Sequence, residues 1–155
     1  MERRMNGACD TRARRRWMSV LALAAPADLE AAWSALADRP AYRVVRRPEI
    51  GLVMVRGRAG GSGARFNLGE MTVARCTVEL PSGAVGHAYV GGRSLRHAEL
   101  AAVFDGLLQD PRSRPALEVR FVAPLEAAQR ERRIATQARS APTRVEFFTL
   151  VRGED

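Results

Sequence analysis

The sequence predicts an α+β fold, in which an antiparallel sheet of four to five strands packs against an N-terminal helical hairpin and further helices. Three observations predict it. The chain opens with apolar side chains at helical spacing, continues with alternating runs between glycine- and proline-rich turns, and resumes helical spacing after Gly91 and Gly92. At 155 residues it fits one domain, which we expect to span residues 11–155 after a flexible basic start, residues 1–10.

The start of the chain predicts two helices that form a hairpin. Residues 11–24 place apolar side chains at i, i+3, i+4 and i+7, one face of a helix that Pro26 ends. Residues 28–38 repeat that spacing, and Pro40 ends the second helix. The arginines at 14–16 and the apolar stretch after them imitate a secretory signal, but the helical spacing favours a folded first helix.

Strands are predicted where apolar and polar side chains alternate between turn residues. They cover residues 42–46, 52–58, 71–80 and 84–90, with a brief extended piece at 65–68. The even-numbered side chains of the longest strand, 71–80, are predicted to face the core. Consecutive strands joined by tight turns pair in the antiparallel sense.

The second half of the chain predicts more helix and one last strand. Ser94 is the expected N-cap of a helix with a clean apolar stripe down to Gln109. Residues 117–122 fit a short strand or an extended link. Residues 124–138 fit a helix whose thin apolar face is crowded by arginines, so it needs a partner or stays solvated. Residues 143–151 alternate and predict a final strand, although a helix is possible there.

The stretch from 51 to 80 predicts a buried hairpin with a cationic, glycine-rich tip. Glycine lets a backbone approach a ligand or a neighbour closely, and arginine suits carboxylate or phosphate. A plain turn with solvated arginines fits the same pattern. The residues proposed for anion binding or an interface are Arg56, Arg58, Gly60, Gly61, Ser62, Gly63 and Arg65.

The strand–helix junction after Gly92 is a second candidate for an anion. Arg93 and Ser94 stand where free backbone N–H groups and a helix dipole meet, which favours negative charge. An ordinary turn with a capping serine is the alternative interpretation.

The two histidines are the candidates for proton transfer. His87 lies on a predicted strand and His97 shortly after the predicted N-cap, so they could meet across the junction, with Glu99 nearby. Structural roles for both are the alternative. Too few ligands lie together for a catalytic metal, so none is expected. Ala64 replaces the last glycine of a G-x-S-x-G elbow, and the turn leads into a strand, which argues against a serine hydrolase.

Composition limits the function classes. The formal net charge is +8, and every basic residue is arginine, which excludes a lysine-dependent P-loop and favours acidic partners. Two cysteines without a C-x-x-C pair, Cys9 and Cys76, favour reduced thiols in a cytoplasmic protein. No apolar run approaches the ~20 residues of a membrane span.

Four stretches closely resemble the PhnG family, the G subunits of the bacterial carbon–phosphorus lyase core complex. They are RWMSVLA, GLVMVRGRAGGSGARFNLGEMTVARCTVEL, GHAYVGGRSLRHAEL and VEFFTLVRGE, and they span residues 16–154. The most specific pieces are GGSG-x-x-FNLGE, GR-x-x-x-HAE and FFT-x-VRG. Where many relatives have Thr in the glycine turn, this chain has Ser62, which keeps a hydroxyl. Where they often have Asp at the helix start, it has Ser94, which keeps a capping side chain.

The resemblance implies a role in the breakdown of organic phosphonates. With the H, I and L subunits the family resembles a synthase acting on ATP and an alkylphosphonate such as methylphosphonate. The phosphonate oxygen attacks C1 of the ribose and adenine leaves, giving ribose 1-methylphosphonate 5-triphosphate. MgATP would be a substrate of the complex, and the iron–sulfur cluster and S-adenosylmethionine would belong to a separate radical subunit.

The resemblance leaves two roles open for this chain. In the first, the chain is a structural accessory to the I subunit, its closest partner, and the H, J and L subunits belong to the same assembly. In the second, the chain donates Arg and His side chains to the ATP and phosphonate site. The isolated chain is expected to be inactive. A nucleic-acid-binding module is a distant alternative from charge alone, and no nucleic acid or membrane partner is expected.

Overall fold

The computed structural model describes residues 11–58 and 63–140. Helices α1 and α2 come first and both pack on α3, three strands follow them, and α3, α4, a π-helical turn and α5 complete the described chain. Their bounds are α1 Thr11–Leu23, α2 Pro26–Ser34, β1 Arg43–Arg58, β2 Arg65–Glu79, β3 Val85–Gly91, α3 Leu95–Gln109, α4 Arg114–Leu117, the π-helical turn Glu118–Val122 and α5 Ala123–Ser140.

The α+β class is confirmed, and the described strands form one antiparallel sheet in the order β1-β2-β3. The predicted number of strands is wrong for the described residues, which contain three. The segments 42–46 and 52–58 are one strand, because β1 continues through Pro48 with irregular pairing on either side of Arg46. Proline is tolerated there because β1 is an edge strand of the described sheet. The segments 65–68 and 71–80 likewise merge into β2.

The region between α3 and α5 is helical, so the strand or extended link predicted at 117–122 is wrong. Pro115 lies in the first turn of α4, where its missing N–H costs nothing. Phe121 and Val122 are buried, and the centroids of the Phe121 and Phe104 rings lie 4.7 Å apart. A helical turn buries these adjacent side chains against α3. The predicted strand at 143–151 lies outside the described residues.

The core lies between the sheet and α3. Ala74, Cys76 and Val78 of β2 are buried, which confirms the predicted core face of that strand. The apolar stripe of α3 covers this face, and α1 packs on α3 with Trp17 fully buried. The helices thus cover one face of the inner sheet, where β2 and β3 pair.

The contact between β3 and α3 is unusually close at Gly86. A Cβ atom added to Gly86 would lie 1.9 Å from the carbonyl oxygen of Ala102 and 2.7 Å from the amide nitrogen of Gly106, both in α3. Only glycine therefore fits this position of the strand. Among the described residues, no helix has the length and apolar character to cross a bilayer.

Candidate interaction surface

The outer part of the β1–β2 ribbon has no third strand among the described residues. Pairing of β3 with β2 ends at Val73, whereas β1 and β2 remain paired as far as Arg58 and Arg65. We call this ribbon, residues 52–58 and 65–72, the arm, and Ile50 lies at its base. A two-stranded ribbon is at best marginally stable in water without a surface to pack against.

The arm exposes large apolar side chains. Ile50, Leu52 and Met54 share one face, and it is the core face of the sheet because Ile50 pairs with Ala74. The exposed fraction of Leu52 is 59%. The described helices therefore do not cover this continuation of the core face, and among the described residues the prediction that the hairpin is buried is wrong for its outer part.

Apolar exposure continues toward the end of the arm. Phe66 and Leu68 flank the Cβ position of Gly57, and the exposed fraction of Leu68 is 66%. Met71, which pairs with Val53 on the other face, is also exposed. Exposed apolar side chains therefore lie on both faces of the arm, and clustered exposure of this kind typically marks a protein–protein contact.

The arginines at the end of the arm form a cationic cluster. Arg58 and Arg65 are exposed and lie directly opposite each other in the ladder, an unfavourable placement of like charges. Arg58 Nη1 donates to the carbonyl oxygen of Gly63 at 2.9 Å, and Arg56 is exposed opposite Asn67. None of these arginines has a carboxylate within salt-bridge distance in residues 11–58 and 63–140. Outside the described residues lie Gly60, Gly61 and Ser62.

At the strand–helix junction, the predicted cap is confirmed. The Ser94 hydroxyl oxygen accepts a hydrogen bond from the backbone N–H of His97 at 3.3 Å. Gly92 has φ +95°, and its N–H donates to the carbonyl oxygen of Thr72 at 2.9 Å. Some of the backbone N–H groups of the turn therefore already have hydrogen-bond acceptors within the chain. Arg93 is exposed, and its role in anion binding stays a prediction.

The two histidines have separate partners. His97 is buried, and its Nε2 donates to the carbonyl oxygen of Leu21 at 2.9 Å, which ties α3 to the end of α1. His87 is exposed, with Nδ1 3.1 Å from the Thr77 hydroxyl. Strand alternation puts His87 on the sheet face opposite buried Ala88, and therefore away from α3. The sheet separates the two imidazoles.

Glu99 belongs to a network of ion pairs and hydrogen bonds. Its carboxylate accepts from the Tyr42 hydroxyl at 2.8 Å and from Arg96 Nη1 at 2.9 Å, while Arg96 Nε donates to Glu30 at 2.7 Å. Burial, and then the bond to Glu99, raises the pKa of Tyr42, and the Arg96 guanidinium lowers the pKa of Glu30. The network joins α2, α3 and the residue before β1, which is a structural arrangement.

Cys76 also lacks the surroundings of a reactive site. Burial raises the pKa of the Cys76 thiol to about 11, so it stays protonated near neutral pH and is a poor nucleophile. Its Sγ donates to the carbonyl oxygen of Arg46 at 3.4 Å. No three potential metal-ligating side chains come together within the part of the chain that the structure describes.

Asp105, which the sequence interpretation missed, is the best-connected polar side chain of the core. It is fully buried in α3. Its carboxylate accepts from Arg14 Nη2 at 2.7 Å, from Trp17 Nε1 at 2.9 Å and from the backbone N–H of His87 at 2.9 Å. It therefore joins α1, α3 and β3. The available signal was an acid placed within the apolar stripe of α3, directly after Phe104.

Comparison with known proteins gives two matches over nearly the whole chain. The family model described as "Phosphonate metabolism protein PhnG" matches residues 12–153. The alpha-D-ribose 1-methylphosphonate 5-triphosphate synthase subunit PhnG of Rhizobium meliloti (strain 1021) is 48% identical to this chain over 145 residues. That alignment covers 92% of this chain and 90% of the relative.

Proposed function

Because the chain belongs to the PhnG family of phosphonate metabolism proteins, we propose that it is an accessory subunit of the synthase named in its relative. That synthase makes alpha-D-ribose 1-methylphosphonate 5-triphosphate. In this proposal, the chain binds the I subunit through the arm, within an assembly that also holds the H, J and L subunits. It carries no cofactor of its own, while MgATP and the alkylphosphonate are substrates of the cytoplasmic complex.

The exposed arm is the observation that carries this proposal. Leu52, Met54, Phe66 and Leu68 present apolar surface on a ribbon that the described residues do not cover. Burying one leucine side chain is worth roughly 1.5–3 kcal/mol, so such a surface supports tight association once a complementary face covers it. In an interface of this kind, apolar side chains of both proteins form the core, and the arginines of the arm form part of the polar rim.

The catalytic candidates support the same role. The His97 imidazole donates a hydrogen bond to the carbonyl oxygen of Leu21, and the Glu99 carboxylate accepts hydrogen bonds from Tyr42 and Arg96. A catalytic set requires a nucleophile or base, a group that orients it and space for the reacting atom. The described candidates are instead spread over both sides of the sheet and already have structural partners.

Substituting the apolar side chains of the arm should disrupt assembly. We expect Leu52→Asp and Leu68→Asp each to weaken co-purification with the I subunit by about 10–100-fold, since each removes roughly 1.5–3 kcal/mol of apolar burial. The thermal unfolding of the free chain should change little, because both side chains are exposed in it.

The matched control for the arm is Val119→Asp, an exposed apolar residue of the π-helical turn that lies off the arm. It should leave assembly intact. Normal co-purification of both arm variants with the I subunit would overturn the proposed role of the arm.

The facing pair of Arg58 and Arg65 favours a second candidate, in which the chain also supplies charge to the triphosphate or phosphonate. Two guanidinium groups placed opposite each other suit a multivalent anion. The accessory role predicts that Arg58→Ala and Arg65→Ala complexes, once assembled, release adenine at nearly the parent rate. Arg47→Ala is the matched control, since Arg47 is an exposed arginine of β1 outside the arm.

Adenine release and subunit composition must be measured on the same reconstituted sample. Full assembly with lost turnover in the Arg58 and Arg65 variants would assign these arginines to the substrate site. Reduced assembly with normal turnover per complex would assign them to the rim of the interface.

A further inference from the structure

A second surface lies between α1 and α5, away from the arm. It is a groove of about 590 Å³ with Val20 and Leu23 on its apolar side. Three arginines of α5 form the opposite rim: Arg130, Arg132 and Arg133. Its two helices contribute nothing to the arm, which β1 and β2 form alone.

The acid that lines the groove, Glu126, is already paired. Arg16 at one end pairs with Glu118 at 2.9 Å and with Glu126 at 3.1 Å. In contrast, Arg130 and Arg133 are exposed, and no carboxylate within the described ranges lies in salt-bridge distance of either. The rim therefore presents two arginines whose charge this part of the chain does not compensate.

The groove also exposes apolar surface that water solvates poorly. The exposed fraction of Leu23, the last residue of α1, is 70%. Gln129 Nε2 donates to the carbonyl oxygen of Val20 at 2.9 Å, which holds α5 against α1. From the sequence, this helix with its thin apolar face was expected either to need a partner or to stay solvated, and the exposed groove favours the first alternative.

We propose that this groove binds an acidic segment of a second protein subunit, which inserts an apolar side chain beside Leu23 and pairs carboxylates with Arg130 and Arg133. Guanidinium groups bind carboxylates in a bidentate manner, and an apolar contact beside them gives position as well as charge. A second copy of the chain is disfavoured because both copies carry a net charge of +8. A nucleic acid would leave the apolar side of the groove unused.

The groove and the arm together would let one chain bridge two neighbours. This inference goes beyond the proposed accessory role, because binding to the I subunit requires only one surface. With two surfaces on different elements, the chain would hold two subunits at a fixed distance from each other.

A photo-crosslinking amino acid placed at Leu23 tests the occupant of the groove. The purified, reconstituted multi-subunit complex is irradiated, and the crosslinked peptides are identified by mass spectrometry. We expect one dominant crosslink, to an acidic segment of another subunit. Arg130→Glu combined with Arg133→Glu should lower its yield by about tenfold, because it turns two attractive contacts into repulsive ones.

The control for charge is Arg39→Glu combined with Arg47→Glu, which changes the net charge equally at two exposed arginines elsewhere. It should leave the crosslink unchanged. A crosslink to the I subunit would overturn the bridging role, because the arm is proposed to bind that subunit. A crosslink to residues 141–155 of the same chain, to a second copy or to nucleic acid would overturn the whole inference, as would no crosslink at all. Any of these results with normal assembly through the arm would leave the proposed function standing.

Discussion

Asp105→Ala should destabilise the protein by about 3–5 kcal/mol, the usual cost of breaking a buried ion pair. The substitution leaves Trp17 Nε1–H and the His87 backbone N–H without their acceptor inside the core. Arg14, whose side chain is partly exposed, loses its carboxylate but can turn toward water. Urea denaturation at low protein concentration would measure the loss, and Asp105→Asn should lie between the parent and the alanine variant because it keeps one acceptor oxygen.

Glu30→Ala is the matched control for Asp105. It also removes a carboxylate that accepts from an arginine at 2.7 Å, yet both partners are exposed. Its urea midpoint should be close to that of the parent, since exposed ion pairs add little stability. Similar midpoints for Asp105→Ala and Glu30→Ala would show that the buried network does not hold α1, α3 and β3 together.

Gly86→Ala should destabilise the protein by about 3 kcal/mol or more, the upper range for overpacking in a core. The added methyl would meet two backbone atoms of α3, the carbonyl oxygen of Ala102 and the amide nitrogen of Gly106. Backbone atoms cannot move aside by rotating a side chain, so β3 and α3 must separate. For a chain of this length, we expect thermal unfolding to shift down by roughly 10 °C.

Gly91→Ala is the matched control in the same strand. A Cβ atom there meets nothing within 4 Å, so this variant should lose only a small part of the stability. An equally large destabilisation of both variants would show that the loss does not come from the close approach at Gly86, since Gly→Ala by itself lowers the entropy of the unfolded chain and favours the fold.

Helices α1 and α3 could be predicted because their apolar spacing reflects burial inside the same chain, and α5 because its residues favour a helix. Residues 11–24 predicted α1 almost to its ends, and Ser94 marked the start of α3. The continuity of β1 through Pro48 could not be predicted, because a proline acts as a breaker unless the strand is known to lie at an edge. The helical turn that buries Phe121 depends on contact with Phe104, which is distant in sequence.

The hairpin of residues 51–80 was singled out from the sequence, but the exposure of its outer part was not predicted. The alternation around Leu52 shows that one face of the strand is apolar, and we took that face to be buried in the core of the chain. An apolar pattern reflects burial in the working assembly, and it does not distinguish an intramolecular core from an interface. Asp105 was missed for a related reason, since its partners Arg14 and Trp17 come together only in the folded protein.

The exposed arm should also affect how readily the unbound chain aggregates. β1 is 16 residues long and lies at an edge of the described sheet, and such edges are templates for aggregation when apolar side chains stand beside them. Pro48 and the nearby arginines protect the inner half of the strand, whereas Leu52 to Val55 has no such protection. Chain made in excess of its partner should be lost to aggregation or proteolysis. Its abundance in the cell should then follow that of the partner, which favours synthesis of the two in matched amounts.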